Sequence, residues 1–206
     1  MKSSELKVGI VLKQYRSVIF KEVFRKSIHL CSAFIPAVLA FSYWPVMTLL
    51  FLALSGYCFS EFARLKGFEV PVISTITAVA ARKRDENKFV LGPVTLVIGI
   101  ILSALLWEPQ ASRIGIYALA FGDGFASLIG KIWGRVHIPY TNGKTVAGSL
   151  SCFFAVFCSS FAVCHNASVA LLLGVTATFV EVIPMTDFDN IVIPVLIGGL
   201  AQYFCN

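Results

Sequence analysis

The chain alternates between long apolar runs and short polar connections. The runs cover about residues 28–43, 46–60, 89–107, 112–133, 146–165, 167–185 and 191–205. Each is continuously apolar rather than alternating, which fits helices in a bilayer and not the strands of a barrel. A further run, 70–81, is a dozen residues long. At 1.5 Å per residue it reaches about 18 Å, short of a hydrocarbon core of roughly 30 Å. It is expected to be interfacial or re-entrant, leaving seven spans.

Residues 1–26 differ. They hold seven Lys/Arg, at positions 2, 7, 13, 16, 21, 25 and 26. Val8, Val11, Leu12, Tyr15, Val18, Ile19 and Val23 recur at helical spacing. This pattern predicts an amphipathic helix lying on an anionic membrane surface, with an exposed leader helix as the alternative. The stretch is too charged for a cleavable signal peptide. The expected fold is therefore all-α: a polytopic integral membrane bundle of about seven transmembrane helices, with an N-terminal interfacial helix over 1–26 and one membrane-embedded catalytic domain over 27–206.

Composition agrees. Of 206 residues, 57% are hydrophobic and 14% charged, with mean hydropathy +0.82; soluble domains carry about 25% charged residues. The net charge of +6 sits in loops between runs, as membrane topology requires, so no nucleic-acid partner is expected. With the N-terminus in the cytoplasm and 70–81 not crossing, only Arg113 of the 17 Lys/Arg falls outside. The expected location is a multi-pass protein of the plasma (inner) membrane or endoplasmic reticulum, its active site facing the cytoplasm. Trp44, Trp107 and Trp133 fall near span ends, where interfacial belts sit. The six cysteines form no CxxC pair and read as small hydrophobes, with neither zinc site nor disulfide framework expected.

Against this background Asp123 stands out. It lies in Gly115–Gly134, an apolar stretch long enough to span, where a carboxylate costs roughly 2.5–3.5 kcal/mol unless it is paired, metal-bound or wet. Ala126, Gly130 and Gly134 repeat at four-residue spacing, a stripe that allows close helix approach. Gly143-Lys144-Thr145 suggests a Walker A loop, but that motif needs a glycine where Ile138 stands, so the match fails. What survives is a basic, flexible loop running into Ala147-Gly148-Ser149 at a helix start, where backbone amides favour an anion. Glu181 lies one to two turns inside its run, before Asp187, Asp189 and Asn190. Arg25, Lys26 and His29 share a helical face before the first run. Glu61 and Arg64, Arg84 and Lys88, and Lys131 complete the polar clusters. His137 and His165 carry no signal. Acids and bases converging on one side suit a magnesium–nucleotide complex: carboxylates hold Mg²⁺, and Lys and Arg neutralise phosphate oxygens.

These clusters resemble the CTP-dependent polyprenol and lipid kinases, the dolichol kinase, phytol kinase and yeast-type diacylglycerol kinase group. The ordered blocks are RKSIH (25–29), EFAR (61–64), RDENKFVLGP (84–93), GDGFASLIGKIWG (122–134), GKTVAGSL (143–150) and DFDNIVIP (187–194). They cover about residues 25–195. The resemblance implies a membrane-embedded enzyme that moves the γ-phosphate of CTP to a lipid alcohol, with Mg²⁺ as cofactor. On that footing Asp123 and Lys144 are the expected catalytic residues, and Asp123, Asp187 and Asp189 the metal ligands. Arg25, Lys26, His29, Arg64, Lys131, Gly143, Thr145, Gly148, Ser149 and Asn190 are expected at the nucleotide phosphates, with Glu61 and Glu181 as further candidates. The acceptor stays open among dolichol-like, undecaprenol, phytol, farnesyl-type and diacylglycerol alcohols, as does CTP against ATP. The chain lacks the extra membrane region of eukaryotic dolichol kinases. The fold family also includes CDP-lipid synthases, so a CTP-dependent cytidylyltransferase is the alternative. A small transporter with no enzymatic activity is another; it would place acids at mid-membrane along several helices. Oligomeric state is not set by the sequence, a homodimer included.

Overall fold

The computed structural model describes residues 18–68, Thr77, Asp85 and 88–205. Among these residues the protein is all-helical, apart from one isolated bridge between His137 and Thr145. Seven helical rods follow the apolar runs. They are α1 (Val18–Phe41, with a 3₁₀ turn at Ser32–Phe34), α2 (Tyr43–Leu65), α3 (Gly92–Leu106), α4 (109–133), α5 (Val146–Cys164), α6 (Ala167–Val182) and α7 (Asp189–Phe204). By length and composition α1, α2 and α5 can each cross a membrane, while α3, α6 and α7 are shorter apolar helices. The division expected after residue 26 falls inside α1, which continues without a break. Residues 1–17, most of the expected surface helix, lie outside the described residues, as does 70–81 apart from Thr77.

Helix ends follow local chemistry. Ser42 adopts an extended conformation and separates α1 from α2, so the break precedes Trp44-Pro45, which enter the first turn of α2, where proline is tolerated. Pro109 opens α4 and Pro93 the first turn of α3. Thr145 caps α5 by accepting from Gly148 N at 3.2 Å. Asn166 caps α6 by accepting from Ser168 N and Val169 N.

The core lies among α3 to α7, around Ile100, Ile114, Leu119, Val156, Leu173 and Ile197. A smaller cluster, Leu39, Met47, Ile101 and Ala104, seats α1 and α2 on α3. The outside is apolar as well. α2 buries only Met47, Ser60 and Glu61, and leaves Leu49, Phe51, Leu52, Phe59 and Phe62 exposed. An apolar exterior wrapped around buried polar groups reverses the usual soluble arrangement and suits a lipid solvent.

α4 is not one regular helix. Between Pro109–Tyr117 and Gly124–Trp133, residues Ala118–Asp123 form a π-helical turn. The widened turn ends on Asp123. Such turns often mark functional positions. α5 packs closely on α4 because both present small residues. A Cβ on Gly148 would lie 2.7 Å from the Ala126 carbonyl oxygen, and one on Gly122 would lie 2.8 Å from Val156 Cγ2. The small-residue stripe is thus a packing surface.

Gly148→Ala should destabilise the fold by about 1–3 kcal/mol, because a backbone carbonyl cannot move aside. Gly56→Ala, where a Cβ meets nothing within 4 Å, should instead stabilise by about 0.5–1 kcal/mol through helix propensity. Thermal unfolding of both variants in the same detergent would check the opposite signs.

Candidate active site

α1 supplies the first charges. Glu22, Lys26 and His29 are all buried and recur every three to four residues, so they share one face. That face meets α4. Lys26 Nζ donates to Asp123 Oδ2. His29 Nδ1 lies 3.2 Å from the same oxygen, at ion-pair distance but without the alignment of a hydrogen bond. One turn away, Glu22 accepts from Arg25 and Lys131, and from Ser127 Oγ at 2.6 Å. The stripe explains why α1 runs on through residue 26: its polar positions are neutralised by α4, so no interface is needed there.

The loop from Gly134 to Thr145 supplies Lys144. It folds back on itself: Val146 N donates to Val136 O and Ile138 N to Lys144 O. Tyr140, Asn142 and Gly143 all have positive φ, which holds the tip in a tight reversal. Lys144 Nζ donates to Glu181 Oε1, near the end of α6. Glu181 is buried, and its Oε2 has no hydrogen-bond partner among the described residues. Burial works against the Lys144 charge, but the Glu181 carboxylate outweighs it, with smaller help from Asp123 and Asp189, and holds the ammonium above the ordinary lysine range.

A cavity of about 460 Å³ joins these groups, within the size range of small-ligand sites. Four cations, Arg25, Lys26, Lys131 and Lys144, and four carboxylates, Glu22, Asp123, Glu181 and Asp189, line it. Gly143, Thr145 and Gly148 add the start of α5, and His137 and Thr186 complete its rim. A smaller cavity shares Arg25, Lys26, Asp123 and Asp189 with it and adds His29, Asp187 and Asn190.

Most of the expected site residues therefore come together. Six stand outside the large cavity: His29, Asp187 and Asn190 line only the smaller one, and Glu61, Arg64 and Ser149 line neither. Arg64 is held by Glu61 and by Lys88 O at 2.8 Å, while Glu61 accepts Val90 N at 2.8 Å. This pair fixes the approach to α3 and leaves Arg64 little freedom to reach a phosphate. Ser149 is buried but does not line the cavity. Asn190 donates to Thr95 Oγ1 at 3.0 Å and to Gly92 O at 3.4 Å, clamping α7 to α3. Glu22, Ser127 and His137 were not singled out by the sequence pattern. The 22/26/29 spacing is the signal that identifies Glu22; nothing comparable marks His137.

Among the described residues no three His, Cys, Asp or Glu side chains form a metal-binding group, so no closed protein cage is present. Magnesium does not need one. It keeps several waters and takes one or two carboxylates plus substrate phosphates. Asp123 and Asp189 line both cavities, and Asp189 has no ion pair among the described residues. That donor set fits the ion.

Fold and site together define a helical, apolar-surfaced protein with buried charges gathered on one polar cavity. Its sequence is similar to plant prenyl-alcohol kinases. It is 29% identical to a probable chloroplastic phytol kinase 1 of Oryza sativa subsp. japonica, over 91% of this chain and 66% of that protein. It is 29% identical to phytol kinase 1 of Arabidopsis thaliana, over 91% and 68%. Against the chloroplastic farnesol kinase of Arabidopsis thaliana it is 27% identical, over 60% and 45%. The chain thus spans about two thirds of the length of the phytol kinases it matches. No family model matches the chain, and no solved structure matches it significantly. The resemblance read from the ordered blocks holds: proteins similar to this chain over most of its length are named phytol kinases, and a farnesol kinase is similar over a shorter stretch.

A raised lysine pKa has a definite linkage. The Lys144–Glu181 pair adds stability in full below the unfolded lysine value, about 10.5, and loses it as pH rises through the higher folded value. The stability difference between wild type and Lys144→Gln should be constant at neutral pH and shrink above about pH 10.5. Paired unfolding curves across that window would check it.

Proposed function

We propose that the protein is a membrane-embedded prenyl-alcohol kinase that uses a nucleoside triphosphate, CTP by the family resemblance, as phosphoryl donor. The observation that carries this reading is that Asp123, Lys144 and Asp189, from three distant blocks shared with the kinase group, line one cavity. The phytol and farnesol kinase relatives support the acceptor class. Our reading of topology keeps seven spans with the cavity at the cytoplasmic face, as the basic loops favour.

Phosphoryl transfer asks a protein mainly for positioning and charge. The triphosphate lies in the larger cavity. Lys144 and Arg25 neutralise its outer oxygens, and the amides at the start of α5 face it. Asp123 and Asp189 would hold Mg²⁺, which when bound supplies charge neutralisation on the phosphates. Lys26 pairs with Asp123 and holds it in place. The alcohol oxygen forms a bond to the γ-phosphorus while the bond from that phosphorus to the bridging oxygen breaks. The electron pair leaves on the nucleoside diphosphate, and the hydroxyl proton passes to a carboxylate of the shared wall, Asp123 or Asp189.

The test uses purified protein in detergent with γ-labelled CTP or ATP and a panel of farnesol, phytol, longer polyprenols and diacylglycerol. A labelled prenyl phosphate with release of nucleoside diphosphate is expected; release of pyrophosphate would instead mark a cytidylyltransferase. Lys144→Ala should lower kcat by about 10²–10³-fold. Asp123→Asn should abolish turnover and also destabilise by about 3–5 kcal/mol, since it leaves Lys26 buried without a counter-charge. Combining it with Lys26→Met should recover thermal stability without recovering turnover. Wild-type turnover in the double variant would remove Asp123 from the mechanism.

A further inference from the structure

The smaller cavity differs in kind from the larger one. It holds about 50 Å³. Its lining is mixed. Ile28, Val90, Pro93 and Leu96 are apolar, while Arg25, Lys26, His29, Asp123, Asp189 and Asn190 are polar or charged. Arg25, Lys26, Asp123 and Asp189 also line the larger cavity. Ile28 lines this cavity and is also exposed on α1, so a hydrocarbon chain lying against α1 can reach the cavity over Ile28.

The polar side centres on His29. It is 5% exposed, and its Nδ1 lies 3.2 Å from Asp123 Oδ2 without a formed hydrogen bond to any described residue. A hydroxyl there would supply the hydrogen bond that this geometry leaves unmade. A hydroxyl placed there would touch His29 and Asp123, and Asp123 also lines the larger cavity.

Resting on the kinase reading, we propose that the smaller cavity is the seat of the acceptor hydroxyl. It takes the terminal CH₂–OH of a single-chain isoprenoid alcohol. Ile28 and Leu96 pack on the first carbons of the chain, and His29 Nδ1 bonds the hydroxyl oxygen. Asp123 lines both cavities, so a hydroxyl seated here lies beside the donor's cavity, the proximity that transfer needs.

Ile28→Trp tests this without threatening the fold, because Ile28 is exposed. In the purified full chain, the KM for farnesol should rise at least about tenfold, while the Kd for the nucleotide, measured by direct binding, stays within about twofold. A diazirine-bearing farnesol should photolabel wild-type peptides containing Ile28 or Leu96, and labelling should fall in Ile28→Trp. Unchanged farnesol KM, or labelling confined to other helices, would overturn the proposal. If wild type labels at Ile28 or Leu96 but phosphorylates no alcohol, the kinase reading fails while the seat stands.

Discussion

The ion pair between Lys26 and Asp123 is the constraint on which the rest of this structure depends. Asp123 is buried in the middle of the bundle, where an unpaired carboxylate would be neutralised or would unfold the site. Its counter-charge comes from another helix, so α1 must lie on the π-helical turn of α4. That contact fixes the rotation of α1. Once Lys26 points inward, Glu22 and His29 follow, one turn to either side, and Glu22 gathers Arg25, Lys131 and Ser127. A single charge placement thus organises two helices. Replacing such a pair with apolar residues is often neutral or stabilising elsewhere, so keeping it here implies a use for the charge.

The fold was largely legible because membrane helices carry long, unbroken apolar runs. All seven runs reappear as rods, and the turns fall at Glu108-Pro109 and His165-Asn166. The N-terminal division was not legible. Residues 18–26 are rich in charge and read as a surface, yet α1 passes through them because its charged stripe faces α4. Periodicity reports that a stripe exists; it cannot say whether water or another helix lies opposite. The π-helical turn was equally hidden, since Gly122 and Gly124 weaken a helix without specifying how it widens.

The site divides the same way. Asp123, Lys144, Glu181 and Asp189 were recognisable because a charge beside or within an apolar run has few structural uses, and the structure places all four on one cavity. Arg64 failed that logic. Its neighbour Glu61 sits one turn before it, and the two satisfy each other and the backbone at Lys88 and Val90. Arg64 is engaged by Glu61 and the Lys88 carbonyl and lines neither cavity, whereas Arg25, also paired with an acid three residues away, still lines both. Glu22 shows the converse. It lay in a segment already read as charged, so one more acid there carried no surprise.

The charge balance of the cavity sets the order of events on the kinase reading. Four cations face four carboxylates, so the wall is formally neutral before any nucleotide enters. A bare triphosphate would have to draw Lys144 from Glu181 and Lys131 from Glu22, leaving buried carboxylates without counter-charges. A triphosphate carrying its own divalent cation would avoid that cost, because Asp123 and Asp189 would hold the cation and leave the lysines for phosphate. Lys144 is the cation best placed for the exchange. It sits on a loop reversed by three positive-φ residues, whereas Lys26 is fixed within α1. The separation is physical: the lysine that must stay is on a buried helix, and the lysine that must move is on a loop.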